Sequence, residues 1–143
     1  LEHIQNDASL SAGELAEKIG ISKSACWRRL QKLSLDGVIK GRVAILDPEK
    51  LNLSLTVYIS IRTNEHSAKW ANKFQQVTQK IPGVLEVYRM SGDLDYLVKA
   101  VVADMKGYDH LYKQLIRADL FDVSSSFVME TMKQTTELPL SNF

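Results

Sequence analysis

The chain has 143 residues, 45% of them hydrophobic and 24% charged, with a formal net charge of +1. That balance describes a soluble globular protein of one ordinary domain or two small ones. No apolar run reaches the length of a membrane span and no charged-then-apolar leader opens the sequence, which argues against a membrane or secreted protein, so a cytoplasmic location is expected. The single cysteine, Cys26, has no partner for an internal disulfide. It falls on a predicted buried helical position and reads as a small core residue rather than a reactive thiol.

Leu1 and Ile4 read as the tail of a helix ending at Asn6-Asp7, its earlier turns lying upstream of the sequence given. Ser11 followed by Glu14 is a capping-box start, with Leu15 and Ile19 as the buried stripe and Gly20 as the stop. Ile21 plugs the turn. Ser22 then N-caps a second helix whose buried stripe is Cys26, Leu30 and Leu33 and whose opposite side carries Lys23, Ser24, Trp27, Arg28 and Lys32. Two capped helices joined by a short Gly turn, the second offering long basic donors, have the geometry in which a recognition helix enters the DNA major groove. Charge is distributed accordingly. Between residues 18 and 42 stand Lys18, Lys23, Arg28, Arg29, Lys32, Lys40 and Arg42 against Asp36 alone, whereas from Leu51 onward acids and bases balance. Such a cluster is ordinarily a solvated face; at helix-turn-helix spacing it favours phosphate and base-edge contacts. Trp27 fits a DNA contact and packing between helices equally well.

Asp36-Gly37 stops the recognition helix, and Val38 to Leu46 reads as a short hairpin turning at Lys40-Gly41. It is either a wing, with Lys40 and Arg42 reaching phosphates, or a plain connector strand. Asp47-Pro48-Glu49-Lys50 breaks the pattern, so residues 1–46 are predicted to form one domain, 47–54 a linker and 55–143 a second domain. From Leu53 to Ile61 the apolar residues fall on every odd position, a strand with one buried face. Trp70, Phe74, Val77 and Ile81 mark a helix ended by Pro82-Gly83. Val84–Met90 and Tyr96–Ala103 are two more strands joined by Ser91–Asp95; Tyr108, Leu111, Tyr112, Leu115 and Ile116 mark another helix, and Val123–Lys133 a fourth strand. The order βαββαβ predicts a ferredoxin-like antiparallel sheet with both helices on one face, an α+β fold overall. A second copy is expected over the other face if that face is apolar, giving a homodimer that presents two recognition helices to a palindromic double-stranded operator.

Catalysis and metal binding find little support. His3, His66 and His110 are far apart, Asp93 and Asp95 have no partner base, and neither a phosphate loop nor a nucleophile turn is present. No enzyme activity, metal or cofactor is expected.

The quoted motifs resemble the leucine-responsive and asparagine-regulator (Lrp/AsnC) family of transcription factors: Glu14-Leu15-Ala16, Ile19-Gly20-Ile21-Ser22, Cys26-Trp27-Arg28-Arg29, Leu33, and Asp36-Gly37-Val38-Ile39. The resemblance continues at Ser91-Gly92-Asp93-Leu94-Asp95-Tyr96, which is similar to the S-G-D-x-D-Y signature of the family's amino-acid-sensing domain, and at Ser125–Met129. It implies a winged helix-turn-helix domain followed by a ferredoxin-like domain. DNA contacts are expected at Ser22, Lys23, Ser24, Trp27, Arg28, Arg29, Lys32, Lys40 and Arg42. It implies a free amino acid as effector, bound between dimers near Ser91, Gly92, Asp93, Asp95 and Tyr96, with Met105, Ser126, Phe127 and Val128 also affecting the response. It further implies assembly to an octamer. Gly92 permits close backbone approach, turn amides suit a carboxylate and an aspartate suits an ammonium group. Without the resemblance, Gly-Asp between two strands is ordinary turn material. The competing function is a metabolite-binding ferredoxin-like module acting mainly through protein partners.

Overall fold

The computed structural model describes residues 1–143, which form two compact units, Leu1–Ile45 with Met132–Phe143, and Leu46–Thr131. The first unit contains three helices: α1 (Glu2–Asn6), α2 (Ala12–Ile19) and α3 (Lys23–Leu35). Their starts are set by side chains. Ser11 Oγ accepts from the Glu14 N–H at 3.1 Å and Ser22 Oγ from the Ala25 N–H at 3.2 Å, each satisfying a donor that a helix N-terminus leaves orphaned. Gly20 ends α2 in the left-handed region, φ 71°, which glycine enters without a Cβ penalty. Ile4, Leu15, Ala16 and Cys26 make the core, with Leu1, Leu10, Ile21, Leu30 and Ile39 packed around it. Ile19, expected inside, is 46% exposed. Ala16 takes the second core position of this short helix, and Ile21 closes the turn in its place.

The hairpin expected at Val38–Leu46 does not form, and no strand lies between α3 and Leu55. The Ile39 N–H donates to the Leu33 carbonyl at 3.1 Å and its side chain joins the first core, so the short first arm serves as the end of α3 rather than as a ladder. Val43 and Ile45 stay 84% and 79% exposed. Residues 132–143, which the sequence reading grouped with the second domain, pack with the first unit. There the Gln5 carboxamide clips the chain, accepting from the Leu138 N–H at 2.9 Å and donating to the Leu138 carbonyl at 3.2 Å.

The second unit carries β1 (Leu55–Arg62), α4 (Ala68–Gln79), β2 (Val84–Arg89), β3 (Tyr96–Val102), α5 (Met105–Leu115) and β4 (Asp122–Phe127). The sheet order is β2-β3-β1-β4, antiparallel throughout, the expected ferredoxin-like arrangement. Val57, Ile59 and Ile61 are fully buried, as the period-2 pattern requires, against Trp70, Phe74, Leu111 and Leu115 of the helices. β4 is shorter than predicted: its pairing with β1 ends at Phe127, and residues 128–133 add no further strand. Beyond Phe127, opposite Val57, one more bond joins the Val128 N–H to the Thr56 carbonyl, at 2.9 Å, and β1 begins at Leu55. On the other sheet face, alternation puts Tyr58, Ser60, Tyr88, Leu97 and Lys99. Here a hydrogen bond from the Tyr88 hydroxyl to Glu86 pushes the phenol pKa up. No helix is long and apolar enough to cross a membrane.

Between α4 and β2 the chain turns at Gly83, φ 90°, where an added Cβ would lie 2.6 Å from the Val101 carbonyl oxygen. Gly83→Ala should therefore cost about 2 kcal/mol, since backbone strain and a backbone clash cannot both relax. Urea unfolding would reveal it as a lower midpoint at unchanged slope.

Candidate nucleic-acid interface and effector turn

Helix α3 sorts its residues by angle. Cys26 is 3% exposed and Leu30 and Leu33 are half-buried, while Ser24, Trp27, Arg28 and Gln31, at i, i+3, i+4 and i+7, form one outward stripe. Lys23, Arg29 and Lys32 flank it in solvent, and the exposed cap residue Ser22 stands at its N-terminus. Trp27, at 56% exposure, is a surface residue rather than packing between helices. The Lys32 ammonium pairs with Asp36 at 3.0 Å one turn on, an exposed ion pair of small worth that competes with a phosphate for the same group. Lys40 and Arg42 are exposed on the extended segment that replaces the expected hairpin. Gln31, seven residues from Ser24 and not among the sequence-expected contacts, is exposed on the same stripe, where a carboxamide offers a donor and acceptor pair of the kind that matches adenine.

The turn between β2 and β3 is held by three hydrogen bonds. The Met90 N–H donates to the Asp95 carbonyl at 2.8 Å, the Asp95 N–H to the Ile61 carbonyl at 2.9 Å, and the Thr63 N–H to Asp95 Oδ2 at 2.8 Å. One oxygen of Asp95 is thus occupied in fixing the turn to the end of β1, while Ser91, Gly92 and Asp93 are exposed, with Gly92 at φ 98°. Tyr96 leaves the turn into the core, its ring 5.3 Å from Trp70 and 4.9 Å from Phe74. Arg89 lines a groove of about 460 Å³ between α4 and β2, together with Gln75, Val87 and Tyr96.

The remaining effector candidates sit elsewhere on the sheet. Tyr96 is opposite Ile61, whereas Phe127 is opposite Val57, four residues and roughly 13 Å along β1. Ser126 and Phe127 close β4, Val128 follows it, and exposed Met105 opens α5 just past the end of β3. Phe127 lies edge-on to Tyr108, centroids 5.0 Å apart, and the Tyr108 hydroxyl bonds Ser125 Oγ. One chain therefore does not bring Met105 and Ser126–Val128 to the Ser91–Tyr96 turn.

Asp95→Ala would leave the N–H of Thr63, a residue only 7% exposed, without its partner. The expected loss is about 1–3 kcal/mol by denaturant unfolding, with Asp95→Asn recovering part of it because a carboxamide oxygen still accepts.

Residues 1–40 match the model of a winged helix-turn-helix DNA-binding domain, and residues 56–138 that of the Lrp/AsnC ligand binding domain. The glutamate uptake regulatory protein of Zymomonas mobilis is 50% identical over 141 residues, covering 98% of this chain and 86% of its own. The DNA-binding transcriptional activator DecR of Escherichia coli is 46% identical, covering 96% of this chain and 91% of its own. Among solved structures, an AsnC family transcriptional regulator from Agrobacterium tumefaciens superposes with a TM-score of 0.91 at 51% identity, over 96% of this chain and 91% of that one. The Neisseria meningitidis transcriptional regulator NMB0573 in complex with L-Met gives 0.92 at 32% identity, over 99% of this chain and 92% of that one. With its DNA-binding and ligand-binding units both matched along nearly its whole length, the chain belongs to the Lrp/AsnC family of transcriptional regulators.

Proposed function

We propose that this chain binds a palindromic double-stranded operator as a homodimer, through the outward stripe of α3, and that a free amino acid governs its assembly and its DNA affinity. The observation that carries the reading is the capped helix α3, whose core face is closed by Cys26 while Ser24, Trp27, Arg28 and Gln31 stand free in solvent. Ser22, Lys23, Arg29, Lys32, Lys40 and Arg42 supply the surrounding hydroxyl and cationic contacts, mostly to phosphate. The amino acid is held at Ser91, Gly92, Asp93, Asp95 and Tyr96, whose turn amides receive its carboxylate and whose free carboxylate oxygens receive its ammonium group. Met105, Ser126, Phe127 and Val128 reach that site only from another copy, since each chain holds them at the opposite end of its sheet. Effector binding is thereby coupled to association, to dimers and onward to an octamer, in the cytoplasm. The relative in complex with L-Met supports an amino acid as ligand.

The test is calorimetric titration against each common amino acid, paired with sedimentation velocity. One or a few amino acids should bind saturably and change the sedimentation coefficient. Heat signals and assembly indifferent to all of them would refute the effector assignment.

A further inference from the structure

Trp27 projects an indole from the middle of a polar, cationic helix face. It is 56% exposed, although its chain neighbour Cys26 is 3% exposed and Leu30, three residues on, packs against the first core. Ser24 and Arg28 flank it at i−3 and i+1, and with Lys23 and Ser24 it lines a shallow open concavity at the start of α3. A large apolar group held in water is unfavourable, and here cationic and hydroxyl groups that suit a polyanion surround it. Its natural occupant is therefore an apolar atom group embedded in a polar, negatively charged surface.

The DNA major groove contains one such group. Its base-pair edges present nitrogen and oxygen donors and acceptors throughout, and the sole apolar feature is the C5-methyl of thymine. We infer that Trp27 is a specificity-determining residue of this protein, its indole face burying a thymine C5-methyl while Arg28, the next residue, contacts a neighbouring base or phosphate. The inference rests on α3 entering the major groove and adds which base, and which atom of it, that helix distinguishes. Burying one methyl contributes roughly a fourfold change in affinity, and in a dimer the effect recurs at each half-site.

The experiment starts with duplexes selected by the full-length protein from a random pool. In the tightest of them each thymine is replaced in turn by deoxyuridine, which removes the methyl and nothing else. The wild type should lose roughly fourfold in affinity at one position per half-site. Trp27→Ala should bind the thymine and deoxyuridine duplexes alike, while Trp27→Phe keeps the discrimination. Circular dichroism of Trp27→Ala should match the wild type, because the side chain is exposed.

Tight selected binding that is indifferent to every deoxyuridine overturns the inference and leaves the DNA reading standing. So does discrimination that survives Trp27→Ala, or sensitivity to 7-deazaguanine alone that Trp27→Ala abolishes, which would make the indole N–H a hydrogen-bond donor to guanine. Failure of the pool to yield any saturable ligand overturns the DNA reading, and the inference falls with it.

Discussion

Arg28→Ala is expected to weaken operator binding by 10-fold or more while leaving amino-acid affinity within error of the wild type. The guanidinium is exposed on the outward stripe of α3, one residue from Trp27 and three from Gln31. Its planar fork of donors matches guanine O6 and N7 or a phosphate, contacts worth about 1–3 kcal/mol each. A dimer presents the residue twice, so the loss compounds over two half-sites. Stability should change by no more than about 0.5 kcal/mol, because the side chain is solvent-exposed and no core contact is removed. Arg28→Lys should fall between, since an ammonium keeps the charge without the bidentate geometry. Anisotropy of labelled DNA and calorimetry with the effector separate the two activities. Equal loss of both in Arg28→Ala would contradict separate sites and favour the metabolite-module reading.

Phe74→Ala should be the most damaging single change in the second unit, costing about 3–5 kcal/mol. The ring is 1% exposed, stacks on Trp70 at 5.1 Å and 9°, and meets Tyr96 at 4.9 Å. Removing it leaves a cavity beneath two aromatic neighbours that cannot both collapse into it, and a typical domain has only about 5–15 kcal/mol in total. If the Ser91–Tyr96 turn holds the effector as proposed, the consequence reaches function, because Tyr96 directly follows the Ser91–Asp95 turn and loses the wall that orients it. Chemical unfolding should show the lost stability, and amino-acid affinity should drop even where the variant remains folded.

These two residues differ in how openly the sequence announced them. The alternation Leu53, Leu55, Val57, Ile59, Ile61 and the four-three-four spacing of Trp70, Phe74, Val77 and Ile81 are local periodicities, and each found its element and buried face, although β1 starts only at Leu55 and α4 ends at Gln79, leaving Leu53 and Ile81 just outside them. Ser11 and Ser22 cap helices for the same local reason. What local pattern did not reveal depends on partners distant in sequence. Asp95 reads as a free carboxylate until the fold brings the Thr63 N–H, just past β1, to it, and the early end of β4 at Phe127 is set by its pairing with β1 rather than by its own residues. Ile39 looks like a hairpin residue, yet its N–H finishes the end of α3. The 132–143 segment has no periodicity to assign it, and Gln5, far away in sequence, holds it. For the effector candidates, the residue types were legible and the distance between the two groups was not, because strand register alone sets it.

The most direct measurement is fluorescence anisotropy of a labelled duplex from upstream of the protein's own gene, titrated across a salt series with and without each common amino acid. Saturable binding that survives competitor DNA, weakens with a log–log salt slope of about −0.9 per phosphate neutralised, and shifts with one or two amino acids is the predicted result. Weak binding that competitor removes fully, and that no amino acid alters, would contradict an amino-acid-responsive operator-binding regulator.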